Sequence, residues 1–271
     1  MAHLVHVQQE WDFAEYGSVD ITWTDDSGGH SITAISTGKY RHLTTAADSL
    51  THPDGGVAIA NTANAYFAAY LQTQMDAATT ETITVAYSNT TNRYTITCTG
   101  AVFTVTWGAG AESRLKQLLG YSGNISSSPA VATLAPYYTI EPGKNVITGW
   151  TEPEAVPDAV TSRVTSSADL ITVGPARIPY QARVEFAFES DAQTIEQYET
   201  RFCWQRFWND AGRNARMCYL MDVDPPAGAT AISWAFRLKQ PTFDRSTHRR
   251  ERPELRNRWR VSLDMLLRGR F

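Results

Sequence analysis

Residues 19–35, VDITWTDDSGGHSITAI, alternate apolar and polar positions on both sides of Asp-Asp-Ser-Gly-Gly. A period of two broken by turn-forming residues predicts a β-hairpin. Over residues 60–77 the period changes: Ala63, Tyr66, Phe67, Tyr70, Leu71 and Met75 recur at spacings of three and four. That spacing predicts an amphipathic helix, with Asn61 or Thr62 as its cap and a shorter helix before it at residues 43–50. Between Thr82 and Trp107 the pieces TITVAYS, RYTITCT and VFTVTWG each alternate, separated by Asn-Thr-Thr-Asn and Gly-Ala. They predict three antiparallel strands in a meander. Residues 111–119 then predict a short helix with Leu115, Leu118 and Leu119 turned inward and Gly120 ending it.

From Ser122 to Pro179 the chain is rich in Ser, Thr, Pro, Gly and Ala, with strand-like pieces at 137–140 and 170–173. It reads as extended chain, either lying across a surface of its own or a neighbouring chain or acting as a linker. Regular patterns resume at ARVEFAF, a strand. A helix rich in aromatic residues follows at 194–209, with Ile195, Tyr198, Phe202, Phe207 and Trp208 around it and Gly212 closing it. ARMCYLMDVD, ATAISWAFRLKQPTF and NRWRVSLDMLLR are three more strand candidates. The expected fold class is therefore α+β with two β-rich domains: an N-terminal α+β domain over 1–125, an extended connector over 126–178 and a C-terminal β domain with one helix over 179–271.

At 271 residues with 42% hydrophobic content, the chain can bury two cores of ordinary size. No apolar run approaches the ~18 residues that span a bilayer, so no membrane partner is expected, and MAHLVHVQQEWDF lacks the make-up of a secretory signal. Charge is uneven. Up to Ala176 there are 7 Lys+Arg against 16 Asp+Glu, a net of −9, and the remainder carries +5, which recovers the overall −4. An acidic and a basic half can meet complementary faces of neighbouring subunits, or simply solvate two surfaces.

Candidate chemistry is sparse. Cys98, Cys203 and Cys218 fit neither a disulfide scaffold nor a metal site, and the six histidines, His3, His6, His30, His42, His52 and His248, include no zinc-hydrolase spacing. The carboxylate pairs Asp25 with Asp26, Glu152 with Glu154, and Asp222 with Asp224 have no motif with a mechanism attached. The cluster from His52 to Gly56 is a turn without the lysine and hydroxyl of a phosphate loop. The expectation is a protein that is not an enzyme and needs no cofactor or metal. The strongest charged feature spans residues 245–260, where Arg245, His248, Arg249, Arg250, Arg252, Arg256, Arg258 and Arg260 crowd together. DNA contact is one reading. Glu251 and Glu254 interrupt the run, and arginine favours bidentate carboxylate contacts, so a subunit interface built on Arg245, Arg249, Arg250, Arg252, Arg256 and Arg258 is preferred.

Two motifs carry a resemblance. Gly38-Lys39-Tyr40, a helix, strands ending in VFTVTW and then LKQLLGYSGN, with Leu118, Leu119, Gly120 and Tyr121, resemble a module of virion proteins of tailed phages and other double-stranded DNA viruses. YETRFCWQRFW leading into FRLKQPTFDR and RWRVSLDML is similar to the barrels of phage tail-tube, distal tail and baseplate proteins. The resemblance implies a structural subunit of a tail or tail tip, made in a bacterial host's cytoplasm and carried in the virion. It implies a homo-oligomeric ring, of six or three copies, among other phage tail proteins. Other roles it leaves open are a receptor- or glycan-binding tail protein using Trp23, Trp107, Trp150, Tyr137 or Tyr138, a capsid vertex or decoration protein, a head–tail connector and, last, a tail-associated hydrolase.

Overall fold

The computed structural model describes residues 4–13, 20–32, 39–42, 49–50, 59–60, 64–140, 146–150, 153–155, 161–164, 170–173, 180–189, 207–208, 211, 216–224, 227–228, 233–239, 248–250 and 258–270. The described part is mostly β-sheet with few helices. No helix among the described residues is long and apolar enough to cross a membrane. The chain divides into two compact units. One, the N-terminal unit, is Val5–Asp48 with Asn61–Gly143; the other, the C-terminal unit, is Met1–Leu4, Ser49–Ala60 and Lys144–Phe271.

The division falls elsewhere than the expected boundaries at 125/126 and 178/179. Residues 126–143 belong to the N-terminal unit because their backbone is tied into it. Ala130–Val131 pairs with Thr95–Ile96, Ile125 bridges Val105, and Thr139–Ile140 pairs with Val7–Gln8. Beyond Lys144 the Ser/Thr-rich stretch contributes strands to the C-terminal unit: Val146–Trp150, Glu154–Ala155, and Thr161–Val164 paired with Leu170–Val173. Pro and Gly content lowers β propensity, but paired backbone outweighs it.

In the N-terminal unit the predicted hairpin forms. Ile21–Asp25 pairs with Gly28–Ile32 through a two-residue turn, Asp26-Ser27, so that Asp25 faces Gly28 and Trp23 faces His30. Alternation buries Ile21, Trp23 and Asp25 on one side. The meander holds only in its first two strands. Ile83–Ser88 pairs with Arg93–Cys98, but Phe103–Val105 leaves for the other edge of the hairpin, with Phe103 opposite Asp25 and Val105 opposite Trp23. Asp26 explains the departure: its carboxylate accepts the amides of Ala101 (2.6 Å) and Val102 (3.0 Å), turning the chain away from its preceding strand. The vacated edge of Arg93–Cys98 is taken by Ala130–Val131.

The first helix, α1, is Phe67–Asp76, seven residues shorter at its start than expected. Asn64–Tyr66 is instead a strand, parallel to Lys39–Arg41, which in turn pairs with Trp11–Asp12. Tyr66 caps the helix in an extended conformation without a side-chain bond; Asn61 and Thr62, the expected caps, lie outside the described residues. α1 buries Phe67, Ala68, Leu71 and Met75, and its polar residues seal the outer edge of the sheet: Asp76 accepts the amide of Ile83, and Gln72 that of Val85. Ser49–Leu50, within the shorter helix expected at 43–50, is a strand paired with Ile59–Ala60; the rest of that span lies outside the described residues.

The second helix, α2, is Ala111–Leu119, as predicted, with Leu115, Leu118 and Leu119 fully buried. Gly120 ends it at φ 81°, the amide of Tyr121 reaching the carbonyl of Lys116 and that of Gly120 the carbonyl of Gln117. Glycine is required twice over, since a Cβ there would lie 2.2 Å from the Leu134 carbonyl oxygen. Tyr121 stacks on Trp107 and donates to the Ala130 carbonyl. The Leu-Leu-Gly-Tyr motif thus consists of core, turn and packing residues.

In the C-terminal unit Tyr180–Glu189 pairs with the long strand Arg258–Arg270 in unbroken register, from Tyr180 opposite Leu267 to Glu189 opposite Arg258. Its other edge takes Val146–Trp150 and Glu154–Ala155. On the far side of Arg258–Arg270 lie Ser233–Leu238 and, in line with it, His248–Arg250; Ser233–Leu238 continues to Cys218–Asp224. The strand that begins at Leu4 stands next to both Cys218–Asp224 and Val146–Trp150, so the order of pairings returns to where it began. One face of the central pair is apolar, with Ala182, Val184, Leu263, Met265 and Leu267 buried. Cys218, Tyr219, Leu220 and Met221 are buried in succession, as are Trp234, Ala235 and Phe236, so these two strands are covered on both faces. Of the aromatic helix expected at 194–209, only Phe207 and Trp208 are described; both are helical and buried.

Candidate functional site

The arginine segment is in part a strand. His248, Arg249 and Arg250 pair with Val261, Arg260 and Trp259 in that order, while Arg258 stands opposite Glu189 and Arg260 opposite Ala187 on the other side of the ladder. The backbone register therefore sets Arg249 opposite Arg260. Arg245, Arg252 and Arg256 lie outside the described residues.

Beside that segment, the polar face of the same sheet carries cross-strand charge pairs. Arg183 donates to Ser262 Oγ (2.8 Å) and to Glu185 (3.2 Å), with Asp264 at 3.8 Å from its Nε. Lys239 donates to Gln181 (2.6 Å), whose amide donates to Glu154 (2.8 Å). Alternation brings Gln181, Arg183 and Glu185 to one face, where Arg183 meets Glu185 on its own strand and Ser262 on the next.

In the N-terminal unit one polar cluster has the composition of a nucleophile, a base and an acid. Ser27 Oγ lies 3.0 Å from His30 Nε2, and the same nitrogen lies 2.9 Å from Asp25 Oδ1. A working triad needs the serine on one ring nitrogen and the carboxylate on the other. Here both meet Nε2, and Ser27 donates its only hydroxyl proton to Asp25 Oδ1 at 2.7 Å. Asp25, its side chain fully buried, also accepts the Ser27 amide (2.9 Å), Trp23 Nε1–H (3.0 Å) and Thr79 Oγ–H (2.8 Å). Burial alone would raise its pKa; the hydrogen bonds from Ser27, Thr79 and Trp23 outweigh it and hold the carboxyl far below the usual carboxylate range. Permanently ionised, Asp25 is unfit as a general acid. The cluster clasps the hairpin turn to the end of α1.

The remaining candidates are dispersed. Asp26 is spent on the Ala101 and Val102 amides, and Asp25 and Asp26 form no acid–base pair. Glu154 is exposed, Asp222 is buried, and Glu152 lies outside the described residues. Burial raises the Cys98 thiol, and Cys218 is buried as well, which makes both inert core residues. Trp23, Trp107 and Tyr138 are core rather than surface, which removes them as stacking platforms for a glycan. Among the described residues no cluster of His, Cys, Asp or Glu could hold a metal ion. Searched against protein-family models and against curated proteins, the chain matches none.

Sequence reasoning missed His42. Its ring is completely buried, stacks on Trp11 with centroids 4.5 Å apart, and bonds at both nitrogens, Nδ1 with Tyr94 Oη (2.6 Å) and Nε2 with the Tyr137 carbonyl (2.9 Å). The signal available was its place one residue beyond the Lys39–Arg41 strand, where a charged or polar side chain must find partners if it turns inward.

Proposed function

We propose that the chain is a structural subunit of a tailed-phage particle, a tail or tail-tip component of the distal-tail or baseplate kind that assembles into a homo-oligomeric ring among other tail proteins. The observation that carries this reading is the circuit of strand pairings in the C-terminal unit, whose central pair is apolar on one face and charged on the other. A strand set that closes on itself has few free edges and presents its polar face and its loops for assembly. Support also comes from the Leu118-Leu119-Gly120-Tyr121 turn, which has a packing role and no chemistry. The arginine segment is the subunit contact in this reading: arginine favours bidentate contact with carboxylates, and the acidic half of a neighbouring copy is one source of them.

Size-exclusion chromatography with light scattering on the full chain tests this, alongside a variant with Arg249, Arg250, Arg252 and Arg256 changed to Ser. The expected result is a ring-sized oligomer that the variant loses. An oligomer kept by the variant moves the contact away from the arginines and leaves the ring standing. Monomers in both overturn the self-assembling ring in favour of a decoration, adaptor or receptor-binding subunit that needs a preformed particle, and a salt-dependent DNA complex in place of an oligomer would favour a head–tail connector.

A further inference from the structure

His42 sits where the N-terminal strands, the paired strands 83–98 and the returning segment 137–140 converge. Its amide donates to Gln8 Oε1 (2.9 Å), while the Gln9 amide donates to the Tyr138 carbonyl (2.9 Å) and Val7 and Gln8 pair with Ile140 and Thr139. The same segment is held from the other side: Tyr87 Oη donates to Asn92 Oδ1 (2.6 Å), Asn92 Nδ2 donates to Thr139 Oγ1 (3.2 Å), and Thr139 donates to the Pro136 carbonyl (2.6 Å).

The hydrogen-bond chemistry decides the protonation state of the ring. A carbonyl only accepts, so the nitrogen facing Tyr137 O carries a hydrogen, and the neutral imidazole must then accept at Nδ1, where the Tyr94 hydroxyl donates. A second ring proton would arrive at Nδ1 against that hydroxyl, two donors 2.6 Å apart. Tyr94 would have to turn its proton away and leave a cation among Trp11, Tyr87 and Tyr94 rings. Of the described neighbours, the two phenols and the guanidinium beside the ring supply no anion. Burial pushes the Tyr94 and Tyr87 phenols well above their ordinary range, so neither becomes an anion. Arg41, next in the chain, is already a cation, its guanidinium over the Tyr66 ring at 4.8 Å and bonded to Tyr66 Oη.

We infer that His42 is an acid-sensitive latch: neutral, it fastens the returning segment at Tyr137 to the N-terminal strands, and its protonation releases that segment. The sign follows from linkage. A buried histidine that resists the proton binds it less well folded than unfolded, so the latch is intact above the ~6.5 of a free imidazole and weakens as pH falls below it.

Ring-nitrogen NMR of the full chain, with His42 assigned by comparison with His42→Gln, tests the inference together with amide hydrogen exchange corrected for intrinsic rate. The expected spectrum is the Nε2–H tautomer, with a titration midpoint at least about one unit under ~6.5. Protection of the Gln9 and His42 amides should fall about tenfold or more between pH 7 and pH 5, while the ladder between Ile83–Ser88 and Arg93–Cys98 holds. Glutamine can donate to Tyr137 and accept from Tyr94 but takes no proton, so in His42→Gln that fall should vanish. An Nδ1–H tautomer, an ordinary midpoint, or a fall that persists in His42→Gln overturns the latch. If the glutamine variant does not fold, the tautomer and midpoint of the native ring decide alone, with assignment by Tyr94→Phe.

Discussion

The two units are held by different means. In the C-terminal unit a backbone ladder runs without a break from Tyr180 opposite Leu267 to Glu189 opposite Arg258, and the side chains on its polar face are half-exposed additions. In the N-terminal unit most strands are two to six residues long, and side chains supply the bonds the short ladders lack: Asp25, Asp26, Gln72, Asp76, Asn92 and Ser128 all bond across elements. Where backbone pairing is long, no single polar side chain should matter much. Where it is short, a few buried polar groups set the topology, and removing one strands its partners.

The largest expected effect of that contrast is at Asp25. Asp25→Ala leaves Trp23 Nε1–H, Thr79 Oγ–H and the Ser27 amide without their acceptor, and should cost about 3 kcal/mol in urea denaturation of the N-terminal unit. The pH dependence has a definite sign. The folded carboxyl titrates below its unfolded value of ~3.9, so its contribution is complete above that value and is lost as pH falls through the acid range beneath it. The difference between native and Asp25→Asn should therefore be constant from pH 5 to 7 and shrink below about pH 4. A difference that does not shrink in that acid range would mean that the ionised carboxylate is not what organises the cluster.

Next comes Gly120→Ala. The substitution forces a left-handed backbone on alanine and drives a Cβ to within 2.2 Å of the Leu134 carbonyl, so about 2–3 kcal/mol of destabilisation is expected. Thermal unfolding followed by Trp107 fluorescence checks it, since Trp107 stacks on Tyr121 next to the turn. Stability within 0.5 kcal/mol of native, on the order of ordinary surface changes, would mean the motif tolerates rearrangement.

How far each arrangement could be read from the sequence follows the same division. Period two located the hairpin, the two strands that follow α1 and Tyr180–Glu189, whereas Cys218–Asp224 and Ser233–Leu238 are apolar in succession and were legible only as short apolar runs. Alternation is a property of the strand itself. Partnership is not. Phe103–Val105 alternates as well beside Arg93–Cys98 as beside Ile21–Asp25, and the Asp26 carboxylate, reaching across the chain to residues 101 and 102, favours the second. α1 was over-extended because Ala63 and Tyr66 continue its spacing, while the parallel pairing of Asn64–Tyr66 with Lys39–Arg41 is a long-range event that local periodicity does not contain. The candidate site divides likewise. The crowding of arginines at 245–260 is visible at once, but that Arg249 faces Arg260 depends on a register. The Asp25 and His42 clusters join residues more than fifty positions apart and leave no local motif.

The smallest effect is the sharpest test of the contrast. Arg183 is a well-connected charge on the C-terminal sheet face, bonded to Ser262 and Glu185 and near Asp264, yet its side chain remains 46% exposed. Water can replace each of those bonds when the guanidinium is removed, and the ordering of a long side chain is no longer a cost. The ladder beneath it, Arg183 opposite Asp264 and Val184 opposite Leu263, is unaffected because it is made of backbone. Arg183→Ala should therefore change stability by no more than about 0.5 kcal/mol, with the small difference fading in 1 M salt as the Debye length drops to ~3 Å. A loss above about 1.5 kcal/mol would show that this unit too depends on a polar side chain, and the distinction between a ladder-held and a clasp-held unit would fall.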